Sequence, residues 1–227
     1  MKKLLLGSCF LAFLSTANAE AKNWPHWYVG ANFGLTVNAT DVEFSAPADA
    51  DASIDAGYLA SGVVGYYPDF GDRTLNNLRF ELEVSKRKND ISTLGVSTAT
   101  LQGGDYSLTA DSAHLSAIYD FDLSPNKTQQ ITPFAGFGLG GTFIEYDAPQ
   151  IAGNTIIDNK DEVPSFLLQA GLGFKFEQLH HTEFQVGYKL LGLLENPNFK
   201  NNFNAGEDQK MKLYLPHTFE AGVRFRF

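Results

Sequence analysis

Apolar and polar residues alternate strictly along several stretches of this chain, and this period of two constrains the fold more than any other feature. In the clearest stretch the apolar row is Leu78, Phe80, Leu82 and Val84, and the polar row between them is Arg79, Glu81, Glu83 and Ser85. A β-strand points successive side chains to opposite faces of its sheet. The sequence therefore predicts an all-β fold whose strands separate two different environments.

Eight segments carry this alternation, at about residues 27–37, 57–67, 78–88, 108–121, 131–146, 165–176, 182–191 and 213–227. Each is close to, or somewhat above, the ~9–11 residues that a tilted transmembrane β-strand requires. After the first twenty residues, no apolar run approaches the ~20 residues of a transmembrane helix. A membrane-spanning form of this chain must therefore be a closed barrel, in which every backbone polar group is paired.

Long and short connections alternate between these segments. The long ones lie at about 38–56, 89–107, 147–164 and 192–212, and the short ones at about 68–77, 122–130 and 177–181. Bacterial outer-membrane barrels have long extracellular loops and short periplasmic turns. The pattern predicts an eight-stranded antiparallel transmembrane β-barrel with four long extracellular loops, three short periplasmic turns and both mature termini in the periplasm.

The first nineteen residues have the features of a cleavable signal peptide. Lys2 and Lys3 precede a short apolar core, and Ala17 and Ala19 form a small-x-small cleavage site. Cys9 would also allow a lipoprotein signal, but the apolar run continues beyond it. We therefore expect a signal peptide over 1–19 and a barrel domain over 20–227 that contains no cysteine.

The formal net charge of −9 becomes −11 when Lys2 and Lys3 are removed with the signal peptide. This charge argues against nucleic acid as a partner, because nucleic acid requires a cationic surface. It is compatible with outer-membrane lipid and lipopolysaccharide, which carry divalent cations at the membrane surface.

The last strand ends in an apolar face that stops on the final residue. Its outward members are Phe219, Ala221, Val223, Phe225 and Phe227, alternating with Glu220, Gly222, Arg224 and Arg226. This segment resembles the C-terminal recognition strand of bacterial outer-membrane barrels. That resemblance implies that Phe219, Val223, Phe225 and Phe227 are an assembly signal read by the barrel-assembly machinery, after delivery by periplasmic chaperones.

The polar faces must fill the barrel interior if the apolar faces contact lipid. Eight strands leave an interior just wide enough for side chains, and charges buried there must pair. The sequence therefore predicts a paired polar plug. Its candidates are Arg79, Glu81, Glu83, Asp111, His114, Gln169, Lys175, Glu183, Gln185, Lys189, Glu220, Arg224 and Arg226. Inward glycines on the fifth to seventh strands leave room for long neighbours, or alternatively a narrow water-filled gap.

The whole segment after residue 20 resembles the small outer-membrane β-barrel family of OmpA-type transmembrane domains, opacity-type porins and surface antigens. Three segments carry this resemblance: Trp27-Tyr28-Val29-Gly30-Ala31, the run 132–140 (TPFAGFGLG) and the closing run 219–227 (FEAGVRFRF). The resemblance implies a scaffold whose variable loops meet host or cell-surface ligands, sometimes with weak pore activity. It implies no shared active site.

His114 and Ser116 are the main alternative as a chemical site. A His-x-Ser pair resembles that of lipid A deacylase barrels, where it acts as base and nucleophile. However, Ala117 stands where that family has Asn, and the strand parity points both side chains inward. The acidic loop residues Asp158, Asp161 and Glu162 lack the EF-hand pattern. We therefore expect no catalytic residues, no metal and no cofactor.

Three functions remain open from the sequence. The favoured one is a non-enzymatic surface barrel with a structural or adhesin-like role through its loops. The second is a small porin-like channel for ions or small solutes. The third is a lipid A-modifying hydrolase.

Overall fold

The computed structural model of the 227-residue chain describes residues 26–38, 42–45, 50–72, 74–96, 99–121, 129–147, 156–158, 160–176, 179, 181–201, 209–212 and 214–227. The predicted signal peptide, with Ala17 and Ala19, lies outside the described residues. No helical segment in the described part of the chain is long and apolar enough to cross a membrane.

Thirteen strands, numbered in chain order, are found in the described residues. They are β1 (His26–Asn38), β2 (Val42–Ser45), β3 (Ala50–Ile54), β4 (Gly57–Tyr67), β5 (Leu78–Val96), β6 (Ala99–Asp120), β7 (Gln129–Asp147), β8 (Ile156–Asp158), β9 (Lys160–Phe176), β10 (Thr182–Leu193), β11 (Asn198–Asn201), β12 (Gln209–Lys212) and β13 (Pro216–Arg226). One 3-10 turn, Leu75–Asn77, precedes β5.

Eight long strands form one closed antiparallel barrel. Their order is β4-β1-β13-β10-β9-β7-β6-β5, and β5 pairs with β4 to close the ring. The first and last strands are neighbours, with Leu35 opposite Phe219. The predicted eight-stranded antiparallel barrel is confirmed.

The two ends of the barrel differ. At the end where β1 begins and β13 finishes, which we call the terminal end, short turns connect the strands. At the opposite end, the loop end, β5 continues to Val96 and β6 resumes at Ala99. The second long connection, expected over about 89–107, is therefore mostly paired strand, a hairpin that extends beyond the barrel rim.

Short strands from three other connections join this hairpin. β3 pairs with β5, β2 with β3, β12 with β2, β11 with β12 and β8 with β11. We define the loop-end sheet as β3, β2, β12, β11 and β8 together with residues 92–96 of β5 and 99–105 of β6. All four long connections contribute strands to it.

The outer surface of the barrel is apolar. Phe33, Leu35, Leu115 and Phe219 each expose about 60% of their area. Unpartnered apolar side chains in a continuous band are typical of the lipid-facing surface of a membrane barrel.

One predicted interior residue faces the wrong way. Asp111 lies on the outer face, where its carboxylate pairs with Lys86 at 3.2 Å and both side chains are 53% exposed. The reason is parity, since His114 and Ser116 point inward on β6 and an odd-numbered residue of the same strand must point outward.

The barrel interior divides into two halves. The terminal-end half and the middle of the barrel hold nearly all the buried charged side chains, and Arg87 lies nearer the loop end. The loop-end half holds an apolar cluster, formed by Ile91, Leu108, Ala110, Ile144, Tyr146, Val163, Leu167, Leu191, Phe199, Met211 and Tyr214.

Candidate functional site

A five-residue charged network fills the terminal-end half of the interior. The guanidinium of Arg79 donates to Asp120 at 3.1 Å, to the hydroxyl of Tyr28 at 2.7 Å and to Glu81 at 3.0 Å. Arg224 reaches Glu81 from the last strand, at 2.7 Å, and Tyr28 also donates to Glu81 at 2.8 Å. One carboxylate oxygen of Glu81 therefore accepts from three side chains on three strands.

Two aromatic rings hold these guanidinium groups in place. The guanidinium carbons of Arg79 and Arg224 lie 5.3–5.9 Å from the ring centres of Tyr28 and Phe134, a range suited to cation–π attraction. Gly65 makes room for the ring of Tyr28, because a Cβ at this position would overlap ring atoms. The interior therefore has ring contacts in addition to ion pairs.

A second ionic group lies further toward the loop end. Lys189 on β10 donates to Glu83 on β5, across the interior, and pairs with Glu220 on β13 at 3.0 Å. All three side chains are almost fully buried. A buried lysine between two carboxylates satisfies the rule that interior charges must be paired.

A third ionic group lies at the terminal end. Glu183 accepts from Arg226 at 2.7 Å and lies 3.6 Å from the ammonium of Lys175. Arg226 also donates to the hydroxyl of Tyr67 at 2.9 Å. Gly173 leaves space for Glu183, whose carboxylate oxygen would lie 2.6 Å from a Cβ there. A buried carboxylate between two partly exposed cations therefore lies at this rim.

His114 belongs to a chain of neutral hydrogen bonds. Its Nε2 lies 2.9 Å from the hydroxyl of Ser165, which lies 2.8 Å from that of Thr142. Ser116 is buried, and its hydroxyl has no partner among the described residues. His114 is therefore directed at Ser165 rather than Ser116, and the interior position of both keeps them from membrane lipid. The predicted pair of His114 and Ser116 is therefore not formed.

Ten interior residues predicted from the sequence all face the barrel lumen, and most of them form ion pairs with other members of the set. The set is Arg79, Glu81, Glu83, His114, Lys175, Glu183, Lys189, Glu220, Arg224 and Arg226. The sequence reasoning missed four members: Tyr28, Tyr67, Asp120 and Arg87. Parity could have found Tyr28, since it shares the polar face of β1 with Asn32.

The apolar half of the interior was also missed. The prediction filled the lumen with polar side chains only, yet Leu108, Ile144 and Leu167 are 1% exposed or less and face inward. Near the loop end both faces of these strands are apolar, as in Phe166-Leu167-Leu168, so alternation gives no signal there. A fully polar lumen was therefore a wrong expectation.

Three of the predicted assembly-signal residues lie on the outer side of β13, and the fourth, Phe227, directly follows it. Phe219, Phe225 and Phe227 expose 47–60% of their areas, and Val223 is half-buried. Their role in assembly stays a prediction.

One of the acidic residues near β8, Asp161, has a structural contact. Asp161 accepts from the backbone N–H of Asn198 at 2.6 Å and thereby joins β9 to the connection that carries β11. Among the described residues, no cluster of three or more His, Cys, Asp or Glu side chains is arranged to hold a metal ion.

Comparison with known proteins identifies one matching family and several solved structures of similar fold. The family model for the outer membrane protein beta-barrel domain matches residues 6–227. No curated protein sequence matches significantly.

Three solved structures illustrate the similarity. Neisserial surface protein A is 18% identical, with 88% of this chain and 97% of that one covered and a TM-score of 0.51. OprG from Pseudomonas aeruginosa is 10% identical, with 89% and 96% covered and a TM-score of 0.58. AlkL is 17% identical, with 93% and 94% covered and a TM-score of 0.54. At these identities the similarity establishes the fold.

Proposed function

Because the chain belongs to the outer-membrane β-barrel family, we propose that it is a non-enzymatic surface protein that binds a partner outside the cell through its loop-end sheet. The loop end then faces the exterior and both termini of the barrel face the periplasm. The observation that carries this proposal is the pairing of strands from all four long connections into one sheet.

A loop that only joins two strands does not require a fixed conformation. Here β2 and β3 form a hairpin, β12 pairs with β2, and β11 pairs with β12. Ordering these residues costs conformational entropy of about 1–2 kcal/mol per residue. A preorganised surface reduces the entropy lost on binding, which supports a recognition role.

The base of the loop-end sheet is anchored in the barrel. Phe199 on β11 and Met211 on β12 are 1% exposed and pack in the apolar cluster of the lumen. The ring of Phe199 lies 6.2 Å from that of Tyr146 on the barrel wall. The connection between β10 and β13 is therefore held at the barrel mouth by buried apolar contacts.

The interior favours a scaffold over a pore. Two ion pairs cross the lumen between strands that are not neighbours, Arg224 on β13 with Glu81 on β5 and Lys189 on β10 with Glu83 on β5. Conduction requires a continuous hydrated path, and direct ion pairs across the lumen oppose one. A small channel is the second candidate, favoured by buried polar atoms without partners, such as Oε1 of Glu81 and of Glu83, which water can satisfy.

Loop deletion tests the proposal. We expect that replacing residues 42–54 with a short Gly-Ser linker abolishes adhesion of expressing cells to a surface or host cell, while the barrel keeps its gel-mobility shift on boiling. The matched control shortens the connection 122–128 at the terminal end and should leave adhesion unchanged. Unchanged adhesion in the loop deletion would contradict the proposal.

Cysteine labelling tests the orientation separately. Residues 20–227 contain no cysteine, so a single introduced cysteine is the only thiol that can react with the label. An impermeant maleimide should label Glu195→Cys at the exposed loop end of intact cells and leave Asp72→Cys at the terminal end unlabelled until the outer membrane is opened. The reverse pattern would overturn the orientation.

A further inference from the structure

A cavity lies at the terminal end of the barrel, where β9 ends, β10 begins and β13 finishes. Its volume is about 60 Å³, and its lining includes the charged side chains of Lys175, Glu183 and Arg226 together with the apolar side chains of Phe176 and Leu179. A buried water needs about 10–15 Å³ of such volume. The cavity therefore has room for several waters or for one small polar group.

The charges that line this cavity favour an anion as the ligand. With His181 neutral, Lys175 and Arg226 contribute +2 and Glu183 contributes −1, so the described lining carries a charge of +1. The carboxylate of Glu183 is 5% exposed and pairs with both cations. A single negative charge brought into the cavity would make the group neutral.

Both cations keep donors for such a ligand. Arg226 uses Nη2 for Glu183 and for Tyr67, and its Nε and Nη1 make no hydrogen bond to the described residues. The ammonium of Lys175 makes only a long ion pair of 3.6 Å to Glu183. The two side chains are 28% and 32% exposed, so solvent reaches them. Guanidinium and ammonium groups both donate charge-assisted hydrogen bonds to phosphate oxygens.

The backbone that carries Arg226 is fixed at the rim. The N–H of Arg226 donates to the carbonyl oxygen of His181 at 2.8 Å, and Nδ1 of His181 donates to the carbonyl oxygen of Arg226 at 3.1 Å. The guanidinium also lies 4.7 Å from the ring centre of Tyr67. A cation held in this way loses little conformational freedom when it binds a ligand.

The apolar lining connects the cavity to the lipid-facing surface. Phe176 is 36% exposed, and its ring lies 6.1 Å from that of Phe184, which is 43% exposed on the outer face of β10. Leu179 is 45% exposed. Aromatic side chains at the end of an apolar band mark the level of the lipid head groups. The cavity therefore lies where phospholipid phosphates are found.

We propose that Lys175 and Arg226 bind the phosphodiester group of an anionic phospholipid in the leaflet at the terminal end, with its acyl chains against Phe176 and Phe184. The phosphodiester carries one negative charge, which balances the +1 of the lining. The ammonium of a zwitterionic head group would be repelled by the same two cations. This site is independent of the partner that binds the loop-end sheet and of the side of the membrane that the terminal end faces.

Native mass spectrometry of the purified barrel, refolded from urea into an uncharged detergent, tests the site by counting retained lipid. The probe is dihexanoylphosphatidylglycerol below its critical micelle concentration. Dihexanoylphosphatidylcholine has the same chains and a zwitterionic head group, and glycerophosphoglycerol is the anionic head group without chains. We expect the wild type to retain one phosphatidylglycerol, and to bind the other two compounds at least tenfold more weakly.

Three variants locate the effect, each checked for folding by its gel-mobility shift on boiling. Lys175→Met removes one cation and should weaken retention of phosphatidylglycerol roughly tenfold to hundredfold. Glu183→Gln raises the charge of the lining to +2 and should strengthen it. The matched control is Lys160→Met, which removes an exposed lysine at the loop end of the same strand and should leave retention unchanged.

Three results would overturn the proposal. Full retention in Lys175→Met would show that the lipid binds elsewhere. Equal retention of phosphatidylcholine would show that the charge of the lining selects nothing. Equal binding of glycerophosphoglycerol would identify a soluble phosphodiester, instead of a lipid, as the ligand.

Discussion

The two halves of the barrel interior solve the same packing problem with opposite chemistry. In the terminal-end half, Arg79, Glu81 and Arg224 fill the lumen through ion pairs, of which the one between Arg224 and Glu81 joins distant strands. In the loop-end half, Ile144, Leu167 and Phe199 fill it through apolar contacts. The difference shows that the interior of a narrow barrel must be filled by side chains whose polar groups are paired. Ion pairs and apolar packing both meet this requirement.

The two halves also stabilise different parts of the molecule. Every partner in the charged half lies on or beside a barrel strand, so this half holds the ring together. The apolar half includes residues of β11 and β12, so it holds the loop-end sheet to the ring. Damage to one half should therefore have consequences different from damage to the other.

The largest effect is expected for Glu81→Ala. This change leaves Arg79 and Arg224 buried without their shared carboxylate, and breaking a buried ion pair from one side costs about 3–5 kcal/mol. We expect the free energy of unfolding in urea, measured in lipid vesicles, to fall by that amount. Asp111→Ala, which removes an exposed ion pair, is the control and should cost about 0–1 kcal/mol.

A smaller and more local effect is expected for Phe199→Ala. Truncation of a buried phenylalanine costs about 3 kcal/mol where its surroundings cannot collapse, and here the loss falls on the connection between β10 and β13. We expect proteases to cleave this connection while the barrel keeps its gel-mobility shift on boiling. Leu194→Ala, at an exposed leucine of the same connection, should leave protection unchanged.

Comparing Phe199→Ala with Glu81→Ala tests whether the two halves are independent. If Phe199→Ala lowers the unfolding free energy of the ring as much as Glu81→Ala does, the two halves form one cooperative unit and the division is wrong.

The smallest effect is expected for Ser165→Ala. It removes the hydroxyl shared by His114 and Thr142, and an unsatisfied buried group costs about 1–3 kcal/mol. Ser116→Ala is the matched control, because the Ser116 hydroxyl has no partner among the described residues. The midpoint of urea unfolding should drop for Ser165→Ala and stay unchanged for Ser116→Ala, and the opposite order would show that His114 is positioned by Ser116.

Much of the charged half could be predicted from the sequence. Strict alternation on β5 places Arg79, Glu81 and Glu83 on one face, and the apolar residues between them fix which face meets lipid. Alternation gives the face of each residue but not its partner. Glu81 contacts Arg224, 143 residues away, because the strand register through β5, β4, β1 and β13 brings them to one level, and no local pattern encodes that register.

The apolar half could not be predicted in the same way. Where both faces of a strand are apolar, as around Leu167 and Ile144, a period of two disappears and lumen-facing residues look the same as lipid-facing ones. The long connections posed a similar problem. Residues 89–96 belong to a connection that was expected to form a loop, but pairing with β3 and β6 keeps them in a strand.

Planar-bilayer conductance of the purified barrel tests the central claim most directly, namely that ion pairs across the lumen make this barrel a closed scaffold. The account predicts no conductance steps from protein whose folding is confirmed by its gel-mobility shift on boiling. Steady ohmic steps in the wild type, with a size that changes in Arg224→Ala, would contradict it, because they would show a hydrated lumen lined by the residues that should close it.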